Sequence, residues 1–302
     1  MPNIDIQLLT RDLGFAKSYI LDSSLVPDAP EGILTLLLLL SPYDSWGEAA
    51  PGCVRVSTYY TAAQKAYLKA KEMVHKLNQE KESAWLCNEV RLKPVMSRLC
   101  DFTQGRNTLH YHKDYGSRFH MQVIGLASHL PMDENILRSN KEKSDMCGSC
   151  KRCINACPAN AITDEGFHRD RCLRQHMLES TPVPEQMRKL MGNRLVGCDI
   201  CQQVCQYNAG LPANETGGEC FRLDDLLRQD EDAMSRLSVM IGRNMARLSR
   251  VLAQACIAAG NSGEAGYLAK LNELCNHKSP TVAEHAKWAV NILSNGTKDT
   301  TI

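Results

Sequence analysis

The chain has 302 residues, enough for about two domains that each bury a core. Hydrophobic residues make up 43% and charged residues 23%, and 35 Lys plus Arg against 34 Asp plus Glu leave a net charge of +1. That balance excludes a disordered chain and a uniformly basic one, so any nucleic-acid contact must be a local patch. The longest apolar run, 33–40 broken only by Thr35, is far shorter than the roughly 18 residues that begin to suggest a membrane span. The opening residues MPNIDIQLLTRDLG lack a basic stretch followed by an apolar one. The expectation is a cytoplasmic protein with no membrane partner.

Along the chain, Ile6, Leu9, Leu13, Ala16 and Ile20 recur at helical spacing and predict a leading helix. The run 33–40 reads as a buried strand, and 54–59 alternates apolar and polar like another. Ala62, Ala63, Ala66, Ala70, Met73, Val74 and Leu77 form the apolar stripe of a helix. A short apolar piece at 85–87 precedes a helix over 92–99. Strands at 108–112 and 119–127 are expected to pair across 113–116. Residues 133–145, DENILRSNKEKSD, read as a polar linker. From Met234 onward the pattern is helical, with one stripe of Val251, Leu252, Ala255, Ala258 and Ala259 and a second of Ala283, Ala286, Trp288, Ala289, Ile292 and Leu293. Breaks are expected at 260–263 and at Pro280, and the whole is similar to a short stretch of HEAT-type repeats. The tail after Asn295 is expected to fray.

Fourteen cysteines in a chain without an export signal predict metal binding rather than disulfides, because cytosolic thiols stay reduced. Cys53, Cys87, Cys100, Cys220, Cys256 and Cys275 are scattered, and the other eight lie between 147 and 205. Of the scattered ones, Cys53, Cys87, Cys256 and Cys275 sit among apolar residues and are expected to pack as small hydrophobes. The segment CGSCKRCINACP over 147–158 is the C-x2-C-x2-C-x3-C-P run of bacterial [4Fe–4S] ferredoxins. There the fourth cysteine serves the other cluster, so a second group is required. Cys172 and the segment CDICQQVC over 198–205 supply it. Crossing the fourth cysteines assigns Cys147, Cys150, Cys153 and Cys205 to one cluster and Cys157, Cys172, Cys198 and Cys201 to the other. A pair of zinc sites is the alternative for C-x2-C pairs, but zinc ribbons rarely use three cysteines at steps of three followed by Cys-Pro. The expected fold class is α+β in three parts: a mixed α/β sheet domain over 1–132, a bacterial-ferredoxin-like two-cluster domain over 133–222, and a helical HEAT-like tail over 223–302.

The run MGNRLVGCDICQQVC over 191–205, with Cys172 and the 147–158 loop, closely resembles the cluster domain of the epoxyqueuosine reductases. GRNTL over 105–109 and YGSRF over 115–119 resemble that family's segment between its corrinoid-binding domain and its clusters, and 246–261 resembles the start of its helical tail. The resemblance covers 33–293, and its specific part is 147–208. It implies a corrinoid-type N-terminal domain and two [4Fe–4S] clusters that relay electrons to a cobalamin. It further implies an oxidoreductase of queuosine biosynthesis that reduces epoxyqueuosine in tRNA to queuosine, with a reduced ferredoxin or flavodoxin as donor and tRNA as partner. Three places depart from the family pattern: Leu86 stands where the family has an acidic residue, with Glu89 nearby; CDFTQ over 100–104 replaces a glycine-rich stretch; and Gln206 follows Cys205 in place of proline. A double-cluster electron carrier without its own substrate is the alternative function, and an RNA-binding protein with structural clusters a third.

Two further groups are candidates. His110 and His112 would share one face of a strand, with His120 close in sequence, and are expected to be satisfied histidines rather than metal ligands. Arg243, Arg247 and Arg250 fall at i, i+4 and i+7, with Arg236 before them, a spacing that could hold tRNA phosphates on one helix face or present a solvated surface. Glu89 is expected to start a helix. No catalytic residue is assigned.

Overall fold

The computed structural model describes residues 5–26, 28–46, 49–132, 136–138, 146–214 and 219–296. The expected linker over 133–145 lies outside them except at 136–138, as does the tail from 297. The chain forms two compact units, one of Met1–Asp44, Thr61–Lys151 and Cys205–Leu211, the other of Ser45–Tyr60, Arg152–Val204 and Pro212–Ile302. Among the described residues no helix is long and apolar enough to cross a membrane.

The first unit is built on an antiparallel sheet with strands in the order Lys17–Asp22, Thr35–Pro42, Phe119–Leu126 and Ala84–Leu86. The leucine run lies in the second of these, and Leu36 through Leu40 are each 0% exposed. Such a run needs cover on both faces, because successive side chains of a strand point opposite ways. Leu36, Leu38 and Leu40 enter a core with Tyr19, Leu99 and Phe102, while Leu37 and Leu39 enter a second with Ala66, Ala70, Met73 and Leu77 of the helix Thr58–Gln79. Burial of each leucine contributes about 1.5–3 kcal/mol.

Several expected elements change here. The leading helix covers only Ile6–Asp12, capped by the Asp5 carboxylate on the Leu8 amide, and Ala16 and Ile20 belong to the following turn and strand. Gly14, at φ +71, makes the turn that ends the helical period. The expected strand over 54–59 is Cys53–Val56, and Thr58 and Tyr59 already belong to the long helix. The helix expected over 92–99 closes at Met96. The strands around 110 and 120 do not pair with each other. His110–His112 pairs with Phe102–Gln104, and Phe119–Leu126 is taken between Thr35–Pro42 and Ala84–Leu86. Eight residues of two-sided burial outweigh a short local hairpin.

In the second unit, Phe221–Arg222 runs antiparallel and Arg194–Val196 parallel to the strand Cys53–Val56. That register brings Cys53 and Cys220 to a Cα separation of 5.7 Å, and they form a disulfide. The expectation that no cysteine is oxidised, and that Cys53 merely packs, is therefore corrected. The partners lie 167 residues apart and nothing local signals them. Cys87 and Cys256 are buried thiols, as expected.

The helices Leu248–Ser262 and Pro280–Gly296 carry the two predicted stripes. Gly260 does not break the first of them. A Cβ there would lie 2.6 Å from the Trp288 ring and 3.0 Å from the Ala289 backbone, so glycine lets the two helices approach, and the helix ends at Gly263 instead. His285, 0% exposed, accepts from the Val183 amide at 2.9 Å through Nε2, which leaves Nδ1–H to donate to the Ala253 carbonyl at 3.0 Å. Burial pushes its imidazole down to about 4. Because this folded value lies below the unfolded value of about 6.5, the stabilisation is full above pH 6.5 and is lost as pH falls toward 4. The loss amounts to roughly 3 kcal/mol for this one group. Thermal unfolding followed between pH 7.5 and 4 should therefore show a falling Tm that His285→Gln flattens; a slope unchanged by the substitution would contradict this account.

Candidate iron–sulfur centre

The eight clustered cysteines are all free thiols and all half-buried. In the second unit, Cys153 lies in the helix Arg152–Ala156, Cys157 just after it, Cys172 at the start of Leu173–Leu178, and Cys201 in Ile200–Gln203. Burial pushes the Cys201 thiol up to about 12, and the neighbouring Cys198, Cys172, Cys153 and Cys157 add to the rise. Four other thiols thus converge on Cys201, an arrangement costly for bare thiolates and suited to sulfurs that share a cation-rich core. Backbone amides point at these sulfurs: Ala161 N–H donates to Cys157 Sγ at 3.3 Å, and Ile200 N–H to Cys198.

The loop 197–201 is placed from below. Strand Arg194–Val196 ends at Gly197, φ +83, where a Cβ would lie 2.6 Å from Ser57 Cβ and 2.8 Å from the Tyr60 ring. Only glycine turns the chain there. Asp199 is then held by buried Arg55 at 3.4 Å.

In the first unit, the amide of Cys150 donates to the Cys147 carbonyl at 2.8 Å, Arg106 N–H donates to Cys147 Sγ at 3.3 Å, and the Arg106 guanidinium donates to the Gly148 carbonyl at 2.9 Å. Cys205 belongs to this unit through the segment Cys205–Leu211. Asn208, 2% exposed, accepts from the Ser117 amide at 2.8 Å and donates to Ser117 Oγ at 2.9 Å. Gly116, φ +52, has no room for a Cβ beside Asn208. The Tyr111 hydroxyl accepts from Asn107 Nδ2 at 2.9 Å and donates to Cys205. These amide and hydroxyl donors on sulfur are what tunes iron–sulfur ligands, and the donor set fits two cubanes. Among the described residues no three Cys, His, Asp or Glu side chains are grouped to hold a single metal ion. A cubane spreads its thiolates over four irons, so the two observations agree.

The other candidates are resolved individually. His110 and His112 are buried on strand His110–His112 and lie in no metal-ligand group. His110 Nε2 pairs with Ser97 Oγ at 2.9 Å, and burial pushes its imidazole down to about 4. His112 Nδ1 accepts from the Asp114 amide, so Nε2–H donates to the Tyr19 hydroxyl at 2.9 Å, which in turn donates to Asp101 at 3.0 Å. Burial raises the Asp101 carboxyl, but hydrogen bonds from Lys17, Tyr19 and Lys113 prevail and hold it at about 2. No sequence pattern marks this network, because its members come from three separate segments. His120 is half-buried, with Nδ1 3.4 Å from Gln122 Nε2. Glu89 is exposed in a turn before the helix Leu92–Met96 and does not start it. The arginine stripe is not one helix face. The helix Glu231–Ile241 ends at Gly242, Arg243 sits in a turn, Arg247 caps the next helix, and Arg250 donates to the Asn244 and Leu178 carbonyls. Arg236 pairs with Asp232 and Glu219.

Two features of the first unit bear on a corrinoid. The strand Phe102–Gln104 occupies the place of the family's glycines, and Phe102 is 0% exposed against Tyr19, His112 and Phe119. The cavity lined by Lys17, Tyr19, Met132 and Ile136 measures about 350 Å3, at the small end of the range for small-ligand sites. Neither fits a macrocycle, and no residue of this chain is assigned to one.

The site defines the class: residues 146–208 match the family model of a 4Fe-4S double cluster binding domain, and the chain is a double-cluster iron–sulfur protein. Over 206 residues it is 32% identical to the epoxyqueuosine reductase of Alicycliphilus denitrificans, covering 62% of this chain and 55% of that one. The fold matches a crystal structure of selenomethionine-labelled epoxyqueuosine reductase with a TM-score of 0.71 at 18% identity, over 97% of this chain and 93% of that chain. A structure of epoxyqueuosine reductase with an epoxyqueuosine-modified tRNA-Tyr stem loop matches at 0.71 and 18% identity, over 96% and 91%. The chain is thus similar in sequence and in fold to epoxyqueuosine reductases. It spans about half the length of the curated relatives it matches.

Asn208→Ala strips the Ser117 amide of its acceptor inside the core and should cost about 1–3 kcal/mol. Urea unfolding measures it, and a cost within experimental error would mean that the return of 205–211 is held elsewhere.

Proposed function

We propose that this chain is an iron–sulfur oxidoreductase of the epoxyqueuosine reductase kind, acting in the cytoplasm on epoxyqueuosine in tRNA. Cys147, Cys150, Cys153 and Cys205 hold one [4Fe–4S] cluster, and Cys157, Cys172, Cys198 and Cys201 the other. A reduced ferredoxin or flavodoxin supplies the electrons. In function, residues 1–132 form the substrate part, 133–222 the cluster part and 223–302 the helical part that meets tRNA. The observation carrying this reading is the convergence of thiols around Cys201 in a segment that matches a double-cluster domain, within a chain related to epoxyqueuosine reductases along both flanks. One related structure contains an epoxyqueuosine-modified tRNA stem loop, which supports tRNA as the substrate carrier.

The electron count agrees with the cluster count. Removing the epoxide oxygen as water while restoring the carbon–carbon double bond takes two electrons and two protons, and two clusters store one electron each. The chain's own groups present sulfur-bound electrons and exclude water around Cys201. Leu86 has no proton to give, and it lies half-buried on the edge strand Ala84–Leu86, paired with Ile124.

The test is anaerobic turnover by the reconstituted, dithionite-reduced protein with cobalamin and an epoxyqueuosine-bearing tRNA stem loop, followed by nucleoside mass spectrometry. The expected product is lighter by one oxygen. Clusters that cycle while the epoxide persists would instead make the chain an electron carrier.

A further inference from the structure

In the second unit half-buried Arg174 is held differently from the two buried arginines. Arg55 faces Asp199 and Arg188 faces Glu284. Arg174 has no carboxylate partner among the described residues. Its guanidinium lies 4.9 Å from the centre of the Tyr59 ring and 5.6 Å from that of Tyr60, and its Nε donates to the Tyr60 hydroxyl at 3.1 Å. The two rings meet edge to face, with centroids 5.4 Å apart, and Tyr60 is 6% exposed. A guanidinium half-removed from water and held by two aromatic faces keeps its charge, because arginine does not deprotonate in proteins. Such a charge is costly without an anion, and beyond the two tyrosines the group in its field is Cys172, which caps the helix Leu173–Leu178 whose first turn carries Arg174.

We infer that Arg174 is a positioning residue for electron transfer: a cation clamped by Tyr59 and Tyr60 that raises the reduction potential of the cluster bound through Cys172. The inference rests on the proposed ligand set. Four thiolates outweigh the charge of a [4Fe–4S] core, so each added electron makes the centre more negative. A nearby fixed positive charge stabilises the reduced form more than the oxidised one. Net charge and hydrogen bonding around the sulfurs are the protein's means of setting such potentials. Tyr60 is fixed from the other side as well, because Gly197, next to Cys198, closes on its ring. The clamp therefore belongs to the cluster loop.

The experiment is an anaerobic redox titration of the holoprotein, read by EPR, for the wild type, Arg174→Gln and Arg174→Lys. Arg174→Gln keeps a hydrogen-bonding head and removes the charge. It should retain eight irons per chain and make one cluster at least tenfold harder to reduce, about 59 mV for one electron, with the other midpoint unmoved. Arg174→Lys should recover most of the shift. If Arg174→Gln does not accumulate, Arg174→Met is read by the same criterion. Unmoved midpoints at full iron content, or a shift that lysine fails to rescue, would overturn the inference. Repeating the titration in a Cys147→Ser background, which keeps only the Cys172 cluster, should preserve the shift, and its disappearance there would place Arg174 at the wrong cluster. A wild type holding fewer than eight irons contradicts the ligand set itself and takes the inference with it.

Discussion

Buried thiolates repel one another, and the fold around 146–208 is organised by how that repulsion is answered. Burial first, and four neighbouring thiols after it, raise the Cys201 thiol until ionisation without a metal is unfavourable. A core of iron and sulfide turns the same convergence into the strongest tie in the segment. The polypeptide then has to deliver sulfurs from sites far apart in sequence, and each is delivered by a rigid local device: the Gly197 turn for Cys198, the Arg55–Asp199 pair for the loop that follows, and the Asn208–Ser117 bonds for Cys205.

The rest of each unit stabilises those devices. In the first unit the two-sided leucine strand keeps the sheet from shifting register, since a slip of one residue would exchange the two cores. The strands Phe102–Gln104 and His110–His112 flank a turn in which Gly105 leaves no space for a Cβ beside the Tyr111 ring, 2.8 Å away. That turn carries the Arg106 amide and the Asn107 side chain to their places near Cys147 and Tyr111. In the second unit Gly260 and His285 draw the last helices together behind the strand that ends at Gly197.

What the sequence reveals follows from how local each feature is. The leucine run, the helical stripes and the cysteine spacings are contiguous patterns, and they are legible. The leading helix is overcounted because Ala16 and Ile20 keep the helical period by coincidence after Gly14 has turned the chain. The hairpin at 110–120 fails because a distant partner, Thr35–Pro42, offers the second strand more burial than its neighbour does. The Cys53–Cys220 bond, the Tyr19–Asp101–His112 network and the Tyr59–Tyr60 clamp join segments many residues apart. Nothing within a window of sequence could show them. Arg243, Arg247 and Arg250 illustrate the reverse error, a regular spacing that falls on a turn, an N-cap and a first helical turn and so never becomes one face.

The crossing of the fourth cysteines is the claim on which the functional account rests, and paired substitutions test it most directly. Cys205→Ser and Cys157→Ser are compared for iron content and for the EPR signal that survives in each. If the ligand sets are crossed, Cys205→Ser loses the signal lost by Cys147→Ser, Cys157→Ser loses the one lost by Cys172→Ser, and each keeps about half of the iron. If Cys157→Ser instead abolishes the same signal as Cys147→Ser, each cluster is bound within its own sequence motif and the account is contradicted.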